Sequence, residues 1–104
     1  MNNKILTLLG FCSKAGKMSC GMDMTVESLK RGKASLVIVA SDVSAKSLKE
    51  ITFNADKSKV KVLVLECDMQ TLSHAIGRKC GILSVNDKGF AEAMVDASQQ
   101  NNGK

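Results

Sequence analysis

Hydrophobic residues at the start of the chain recur with the spacing of an amphipathic helix. In residues 3–15 the apolar side chains fall at i, i+3, i+4 and i+7, which gives one apolar face. That face is formed by Ile5, Leu8, Leu9 and Cys12. Gly16 follows the pattern and is a typical helix end.

A second helix is predicted after a short polar-apolar stretch, KMSC, at residues 17–20, which indicates an edge strand. From Gly21 onward the helical face repeats at i, i+4 and i+7 over about three turns. Its apolar members are Met22, Val26 and Leu29. Gly32 is predicted to end it.

Three apolar runs further along predict strands at residues 34–41, 60–66 and 80–87. The first run, ASLVIVAS, is continuous and rich in branched residues, as in a strand buried on both faces. Helical patterns separate and follow these runs, at residues 44–56, 68–77 and 88–98. Their inward-facing residues are predicted to be Leu48, Ile51 and Ala55 in the first, and Phe90, Met94 and Val95 in the last.

Polar residues mark the ends of these helices. The helix at 44–56 begins either at Ser44 as N-cap or with a capping box formed by Ser47 and Glu50. Asp68 is the expected cap of the next helix and Gly77 its end. Asp42, just after the first apolar strand, is interpreted as a cap for the helix that follows it, although a functional role at this strand end is the alternative.

Alternating strands and helices predict an α/β domain with a mostly parallel sheet and helices on both faces. With 104 residues, the chain is expected to form one domain over residues 1–98. The polar end of the chain, residues 99–104, is predicted to be a flexible tail.

Composition narrows the class of protein. No apolar run approaches 18 residues, so no membrane span or membrane partner is expected, and the N-terminal stretch is interpreted as a structural helix, not a signal peptide. Four scattered cysteines without a C-x-x-C pair favour reduced thiols in the cytosol over two disulfides. The net charge of +5 favours an acidic partner, nucleic acid first. Three aromatic residues, all Phe, argue against a base-stacking platform.

The opening glycine- and lysine-bearing stretch, LGFCSKAGKMSCGMD, is close to a phosphate-binding P-loop but does not match it. Five residues separate Gly10 from Gly16 where the motif has four. Met18 follows Lys17 where the motif needs a hydroxyl for magnesium. The stretch also follows a helix instead of a strand, and no dinucleotide fingerprint occurs elsewhere.

The histidine, cysteine and carboxylate residues do not indicate an enzyme site either. His74, the single histidine, is predicted to lie solvated on the polar face of a short helix. A nucleophilic pair of His74 with Cys67 or Cys80 is the alternative, but no third, orienting group stands out. Glu27 lies four residues before Arg31, which predicts an ordinary exposed ion pair. We therefore expect no catalysis, no metal and no cofactor.

Basic residues gather at three places, and two of these are turns that contain glycine. A charge run is usually a solvated face, but Gly21 adds a helix N-terminus, where unpaired N–H groups and the helix dipole favour an anion. Glycine there lets a phosphate backbone approach closely. The three basic groups are Lys14 and Lys17; Lys30, Arg31 and Lys33; and Arg78 and Lys79.

The stretch SCGMDMTVESLKRGKASLVIVASDVSAKSLKEI resembles the L7Ae/L30e family of ribosomal proteins. The shared order is glycine, a nine-residue helix, R-G and then A-x-L-V-I-V-A-x-D. KILTLLGFCSKAGKMSCG and LSHAIGRKCGILSVNDKGFAEAM are similar to the bacterial YlxQ-like branch, so the resemblance covers about residues 4–96. It implies a three-layer α/β/α sandwich with a mixed, mostly parallel four-stranded sheet. It also implies binding to kink-turn RNA, a sharply bent duplex with tandem sheared G·A pairs.

The family's groove-binding pattern, G-x-N-E-x-x-K, is only partly kept. Gly21 matches its glycine, Asp23 stands at the asparagine, Met24 at the glutamate and Glu27 at the lysine. Asp23 can still accept guanine N–H donors, whereas Met24 cannot replace the carboxylate. Glu27 puts a negative charge beside the phosphates, with an expected cost on the order of 1–3 kcal/mol in binding.

The resemblance further implies that a second loop, from Gly77 to Ile82, covers the flipped-out nucleotide of the kink-turn. The function predicted is a cytoplasmic, non-enzymatic, ribosome-associated RNA-binding protein, expected to be a monomer. The alternative is a protein-binding adaptor on the same fold, since Met18, Met22 and Met24 cluster near the site and methionine suits adaptable protein contacts. The predicted RNA-binding residues are Lys14, Lys17, Gly21, Met22, Asp23, Lys30, Arg31, Arg78, Lys79 and Cys80.

Overall fold

The computed structural model describes the backbone of residues 3–102 and the side chains of residues 4–99. Within that range five helices and four strands alternate. They are α1 (Asn3–Lys14), β1 (Met18–Cys20), α2 (Met22–Lys30), β2 (Leu36–Val39), α3 (Ala45–Lys57), β3 (Val62–Val64), α4 (Met69–Ile76), β4 (Ile82–Val85) and α5 (Lys88–Asn102).

The hydrophobic pattern identified every one of these elements. KMSC contains the edge strand β1, and each predicted helix overlaps an observed one. The largest boundary difference is at the last helix, because α5 continues to Asn102 instead of ending near residue 98. The expected tail, 99–104, therefore overlaps the end of α5, and its residues 103–104 lie outside the described part; its flexibility stays a prediction.

The four strands form one mixed sheet in the order β1-β4-β2-β3. Only the β2–β3 pair is parallel; β4 runs antiparallel to both of its neighbours. The expectation of a mixed sheet is confirmed, and the expectation that it is mostly parallel is wrong.

The antiparallel direction of β4 follows from the path of the chain after β3. Ser41 N–H donates to the Cys67 carbonyl, and Ala40 N–H donates to the Gly81 carbonyl, both at 2.9 Å. The end of β2, the start of α4 and the start of β4 therefore all lie at one end of the sheet. Because α4 does not return the chain to the opposite end, β4 must run back against β2.

Helices cover both faces of the sheet, which confirms the three-layer sandwich. In β2, Leu36 and Ile38 belong to a core shared with α1, α4 and α5, while Val37 and Val39 belong to a core shared with α2 and α3. Side chains alternate along a strand, so a strand buried on both faces must be apolar at every position. No helix within residues 3–102 is long and apolar enough to cross a membrane.

Two side-chain hydrogen bonds test the helix caps that the sequence predicted for α3. The Ser44 Oγ accepts a hydrogen bond from the Ser47 N–H at 3.1 Å, so Ser44 is the N-cap of α3 and Ser47 lies inside the helix. The capping box of Ser47 with Glu50 is wrong. Asp42 was expected to cap the same helix, but its carboxylate accepts from the Met69 N–H at 2.8 Å. It therefore ties the end of β2 to the first turn of α4.

Replacing the capping serine tests this assignment. Ser44→Ala removes the acceptor for the Ser47 N–H, and we expect the free energy of unfolding to fall by about 1 kcal/mol. Chemical denaturation followed by circular dichroism measures this. Lys46→Ala, an exposed position in the first turn of the same helix, is the control and should change stability by less than about 0.5 kcal/mol. Equal effects of the two substitutions would contradict the cap.

Candidate nucleic-acid interface

The turn between β1 and α2 is shaped by Gly21. Its φ of 93° and ψ of 160° lie in a region that side-chain-bearing residues rarely adopt. The Gly21 N–H donates to the Ile82 carbonyl at 2.8 Å, and its own carbonyl accepts from the Thr25 N–H at 2.9 Å. Glycine has no side chain with which to cap α2, so the first N–H groups of the helix face outward. Asp23 is exposed in that first turn.

The loop after α4 carries an exposed basic pair, Arg78 and Lys79. Gly77, with φ 80° and ψ 15°, ends the helix in the left-handed conformation. Ser73 then holds the loop: its Oγ accepts from the Cys80 N–H at 2.8 Å, and its carbonyl accepts from the Arg78 N–H at 3.2 Å. Arg78 and Lys79 are exposed at the tip. Ser73 was not predicted, although a serine one turn before a helix-ending glycine is a usable signal.

The two segments lie side by side. The Gly21–Ile82 hydrogen bond joins the start of α2 to the end of the loop. Cys20 in β1 is paired in register with Leu83 in β4, which brings Cys20 next to Cys80. A groove of about 230 Å³ opens beside this junction, lined by Gly21, Met22, Ser44, Met69 and Gly81 among others. The two segments that the family resemblance assigned to RNA binding therefore form one continuous surface.

A known protein family includes both segments of this surface in its match to the chain. A model of the ribosomal protein L7Ae/L30e/S12e/Gadd45 family matches residues 3–95, nearly the whole chain. The chain belongs to this family. The resemblance drawn from the sequence, including its bacterial YlxQ-like branch, is confirmed.

Relatives within the L7Ae/L30e family come from different kingdoms. The large ribosomal subunit protein eL30 of Candida glabrata is 31% identical over 88 residues, which cover 83% of this chain and 84% of that protein. The RNA-binding protein YlxQ of Bacillus subtilis is 28% identical over 89 residues, covering 85% and 88%. A solved structure of a Bacillus halodurans protein of unknown function has a TM-score of 0.88 at 27% identity, covering 92% and 97%.

The remaining predicted site residues of this L7Ae/L30e family member are spread more widely. Ser13, next to Lys14, donates to the Ile76 carbonyl at 3.1 Å, so Lys14 lies on the flank that carries Arg78. Lys30 stands at the last turn of α2, about 12 Å along the helix axis from its start. Lys17 precedes β1, and its carbonyl accepts from the Asn86 N–H beyond the other end of β4. The structure thus brings Gly21, Met22, Asp23, Arg78 and Lys79 together, and it separates Lys17, Lys30 and Arg31 from them. Cys80 lies at the same place but is buried, with 5% of its surface exposed, so its side chain is not on the surface where RNA was predicted to bind.

Glu27, which replaces the lysine of the family pattern, is already paired. Its carboxylate lies 2.9 Å from the Arg31 Nε, one helical turn away, which confirms the predicted ion pair. Both side chains are more than half exposed, so the pair adds little to stability. The ion pair does, however, partly neutralise the charges of Glu27 and Arg31. The carboxylate is therefore less repulsive toward a phosphate than an isolated one, and Arg31 offers less positive charge than an isolated guanidinium.

A partly buried polar cluster fixes the second half of α2 on β1 and on the end of β4 that lies away from the interface. The Ser19 and Ser28 hydroxyls lie 2.7 Å apart, and the Asn86 amide donates to Ser19 at 2.9 Å. Ser84 in turn donates to the Asn86 carbonyl oxygen at 2.8 Å. Because every buried polar group in this cluster has a partner, the cluster holds the helix in one position without an unsatisfied group.

Apart from the neighbouring Cys20 and Cys80, the other chemically active residue types within residues 4–99 do not assemble into a site. His74 is exposed on α4, as predicted. All four cysteines are free thiols, and three of them, Cys12, Cys67 and Cys80, are buried. Among the residues that the structure describes, no three His, Cys, Asp or Glu side chains converge to hold a metal ion.

Proposed function

We propose that this protein binds structured RNA of the kink-turn type and associates with the ribosome. One observation carries the proposal: the uncapped start of α2 and the Arg78–Lys79 loop meet through the Gly21–Ile82 hydrogen bond. Membership of a family of ribosomal proteins supports it, as do relatives named as RNA-binding and ribosomal proteins.

The Arg78–Lys79 loop and the start of α2 would bind different parts of the RNA. Arg78, Lys79 and the neighbouring Lys14 would hold phosphates, which sets orientation without reading sequence. The first turn of α2 would add outward N–H groups at the positive end of the helix dipole. Asp23 there would accept base N–H donors at the edges of the G·A pairs. Recognition would rest on the bent shape of the RNA more than on its sequence.

Lys17, Lys30 and Arg31 lie outside this surface, and we assign them to phosphates of the flanking RNA or to bulk electrostatic attraction. We propose further that the protein is non-enzymatic, cytoplasmic and monomeric. The absence of an assembled nucleophile, base and orienting group within residues 4–99 favours binding over catalysis.

The decisive experiment compares two RNAs that differ only at the kink. A labelled kink-turn RNA and the same RNA with its G·A pairs replaced by Watson–Crick pairs are titrated with the protein at two salt concentrations. We expect tighter binding to the kink-turn RNA at both salts. Equal, strongly salt-dependent binding to both RNAs would indicate a general RNA binder, and no binding to either would overturn the proposal.

The Glu27 position offers a test of how this chain departs from the family pattern. Glu27→Lys restores the family lysine and releases Arg31 from its ion pair, so we expect kink-turn RNA to bind severalfold more tightly. Glu27→Gln, which releases Arg31 without adding a charge, should give a smaller increase. Fluorescence anisotropy with labelled RNA measures both. No increase with either variant would show that α2 does not approach the phosphates at this turn.

A protein-binding adaptor on the same fold is the second candidate. Met24, at the family's glutamate position, is 56% exposed beside the half-buried Met22. Exposed methionine suits an adaptable protein contact. The absorbance ratio at 260 and 280 nm after purification without nuclease separates the two candidates cheaply. The chain has no Trp or Tyr, so co-purified RNA would dominate the spectrum.

A further inference from the structure

Two cysteine thiols meet at the centre of the proposed interface. Cys20 ends β1 and packs against the buried core cluster that contains Cys80, which lies in the loop before β4. The Cys80 Sγ also donates to the Ile82 carbonyl at 3.0 Å, the same carbonyl that accepts from the Gly21 N–H. The Cys80 sulfur and the backbone N–H next to Cys20 therefore share one acceptor, at the contact that joins the two halves of the surface.

The environment of Cys20 differs from that of the other thiols. Cys20 is only half-buried, and the Arg78 guanidinium lies beside its sulfur. The hydrogen bond from Cys80 and the charge of Arg78 lower the pKa of Cys20 to about 7, against the opposing effect of burial. Burial, aided by Asp87, raises the pKa of Cys12 to about 11, and burial also raises the pKa of Cys67. Cys20 is thus the thiol of the four whose environment most favours ionisation.

We propose that Cys20 and Cys80 are a peroxide-reactive pair that closes into a reversible disulfide, with Cys20 as the attacking thiol and Cys80 as the resolving thiol. The inference rests on geometry. Cys20 packs against the core cluster that contains Cys80 and is half exposed. The Cys80 Sγ lies 3.0 Å from the Ile82 carbonyl, which also accepts from the N–H of Gly21, the residue after Cys20.

The chemistry balances with a hydroperoxide as oxidant. The Cys20 thiolate attacks one peroxide oxygen: an S–O bond forms, the O–O bond breaks, and the leaving oxide takes up a proton. Cys20 is then a sulfenic acid. The Cys80 thiol loses its proton and attacks the Cys20 sulfur; the S–S bond forms and the S–O bond breaks, and hydroxide leaves as water. With hydrogen peroxide, two thiols and one peroxide give one disulfide and two waters.

Oxidation of Cys20 in the first step makes the attack by Cys80 in the second step more favourable. The pKa of Cys80 is raised above its usual range chiefly by its side-chain interaction with Cys20, and also by burial and by the Cys20 charge. Sulfenic acid formation removes the thiolate, so two of these three causes disappear. The backbone N–H groups of Gly21 and Ile82, which act in the opposite direction, remain. Cys80 becomes a better nucleophile when its partner has been oxidised.

Closure of the disulfide would also change the interface, and this part rests on the proposed function. In the reduced protein the Cys20 thiolate offsets the charge of Arg78. The disulfide carries no charge, so the guanidinium becomes fully available to a phosphate. The oxidised protein should bind RNA more tightly, with a salt dependence steeper by roughly one ion.

The primary test does not involve RNA. The full-length protein is treated with equimolar hydrogen peroxide, free thiols are alkylated, and the products are mapped by peptide mass spectrometry. We expect a Cys20–Cys80 disulfide within one chain, loss of two hydrogen atoms, and reversal by dithiothreitol, while Cys12 and Cys67 stay alkylatable after unfolding. Oxidation spread equally over the four cysteines, or a disulfide between two chains, would overturn the proposal.

Two variants separate the roles of the sulfurs. Cys80→Ser keeps a hydrogen-bond donor to Cys20 but removes the resolving sulfur, so a sulfenic acid should accumulate on Cys20 and react with dimedone. Cys20→Ser should leave Cys80 unreactive. Dimedone labelling of Cys80 in that variant would reverse the assignment of the two roles. Circular dichroism of each variant confirms that it is folded.

A second arm measures kink-turn RNA binding by the reduced and the oxidised wild-type protein. Tighter, more salt-dependent binding after oxidation supports the effect on Arg78, and identical binding would overturn that effect. If neither form binds RNA, the proposed function fails while the mapped disulfide still decides the thiol chemistry. The two failures are therefore distinguishable.

Discussion

Simultaneous replacement of Arg78 and Lys79 with alanine is expected to weaken RNA binding by tenfold to a hundredfold, which corresponds to about 1.4–2.8 kcal/mol. Both side chains are exposed at the tip of a loop whose backbone is held by Ser73, so the substitution removes two charges while the loop keeps its backbone hydrogen bonds. If each side chain contacts one phosphate, the slope of log affinity against log salt should fall by roughly two. Titrations at three or more salt concentrations measure both quantities.

A matched double substitution separates contact from overall charge. Lys59→Ala with Lys61→Ala also removes two positive charges, but these lysines lie before β3, at the opposite end of the sheet from the loop. We expect this control to weaken binding far less and to leave the salt slope nearly unchanged. Equal losses in the two double variants would show that net charge, and not the Arg78–Lys79 loop, drives association.

The fold determines which of the protein's positive charges lie at the proposed interface. The surplus of five positive charges in the sequence points to an acidic partner but not to a surface. The chain path after β3 brings α4, its loop and the start of β4 to the end of the sheet where α2 begins. Arg78 and Lys79 are thereby placed against a helix N-terminus, while Lys59 and Lys61 are not.

Periodicity predicted which segments are helices and strands because each apolar face is local in the sequence. The continuous run around Val37 and Ile38 also predicted a strand covered on both sides, and the two cores confirm it. The prediction of a mostly parallel sheet was wrong because β4 runs antiparallel to its neighbours, and the apolar pattern of a strand buried on both faces does not indicate its direction. The direction of β4 depends on where α4 lies, and tertiary hydrogen bonds such as that of Asp42 with Met69 hold the start of α4 at the end of β2.

The candidate site was predictable to the extent that it resides in local turns. Gly21 and the Gly77–Ile82 loop could be found from glycines beside basic residues, and the family resemblance joined them. Cys20 could not be found in this way, because its relation to Cys80 arises from the β1–β4 register across about 60 residues of sequence. Pairing at such a separation leaves no periodic signal in a single sequence.

Replacement of Gly21 with alanine is the second change for which we expect a large effect. The Gly21 backbone, with φ 93° and ψ 160°, lies in a region that is essentially restricted to glycine, so Gly21→Ala should lower the free energy of unfolding by about 1–3 kcal/mol. A Cβ at this position would meet no atom within 4 Å, so the cost is conformational and not a clash. Urea unfolding followed by circular dichroism measures it, since the chain lacks Trp.

Gly77→Asn is the appropriate control for the Gly21 substitution. Gly77 also has a positive φ, but its φ of 80° and ψ of 15° lie in the left-handed helical region, which asparagine tolerates. We expect its stability loss to be clearly smaller. Because the Gly21 N–H donates to Ile82, a relaxed turn in Gly21→Ala would also part α2 from the loop, and kink-turn RNA binding should fall further than in Gly77→Asn. If Gly21→Ala were as stable as wild type and bound RNA equally well, this glycine would not hold the two halves of the interface together.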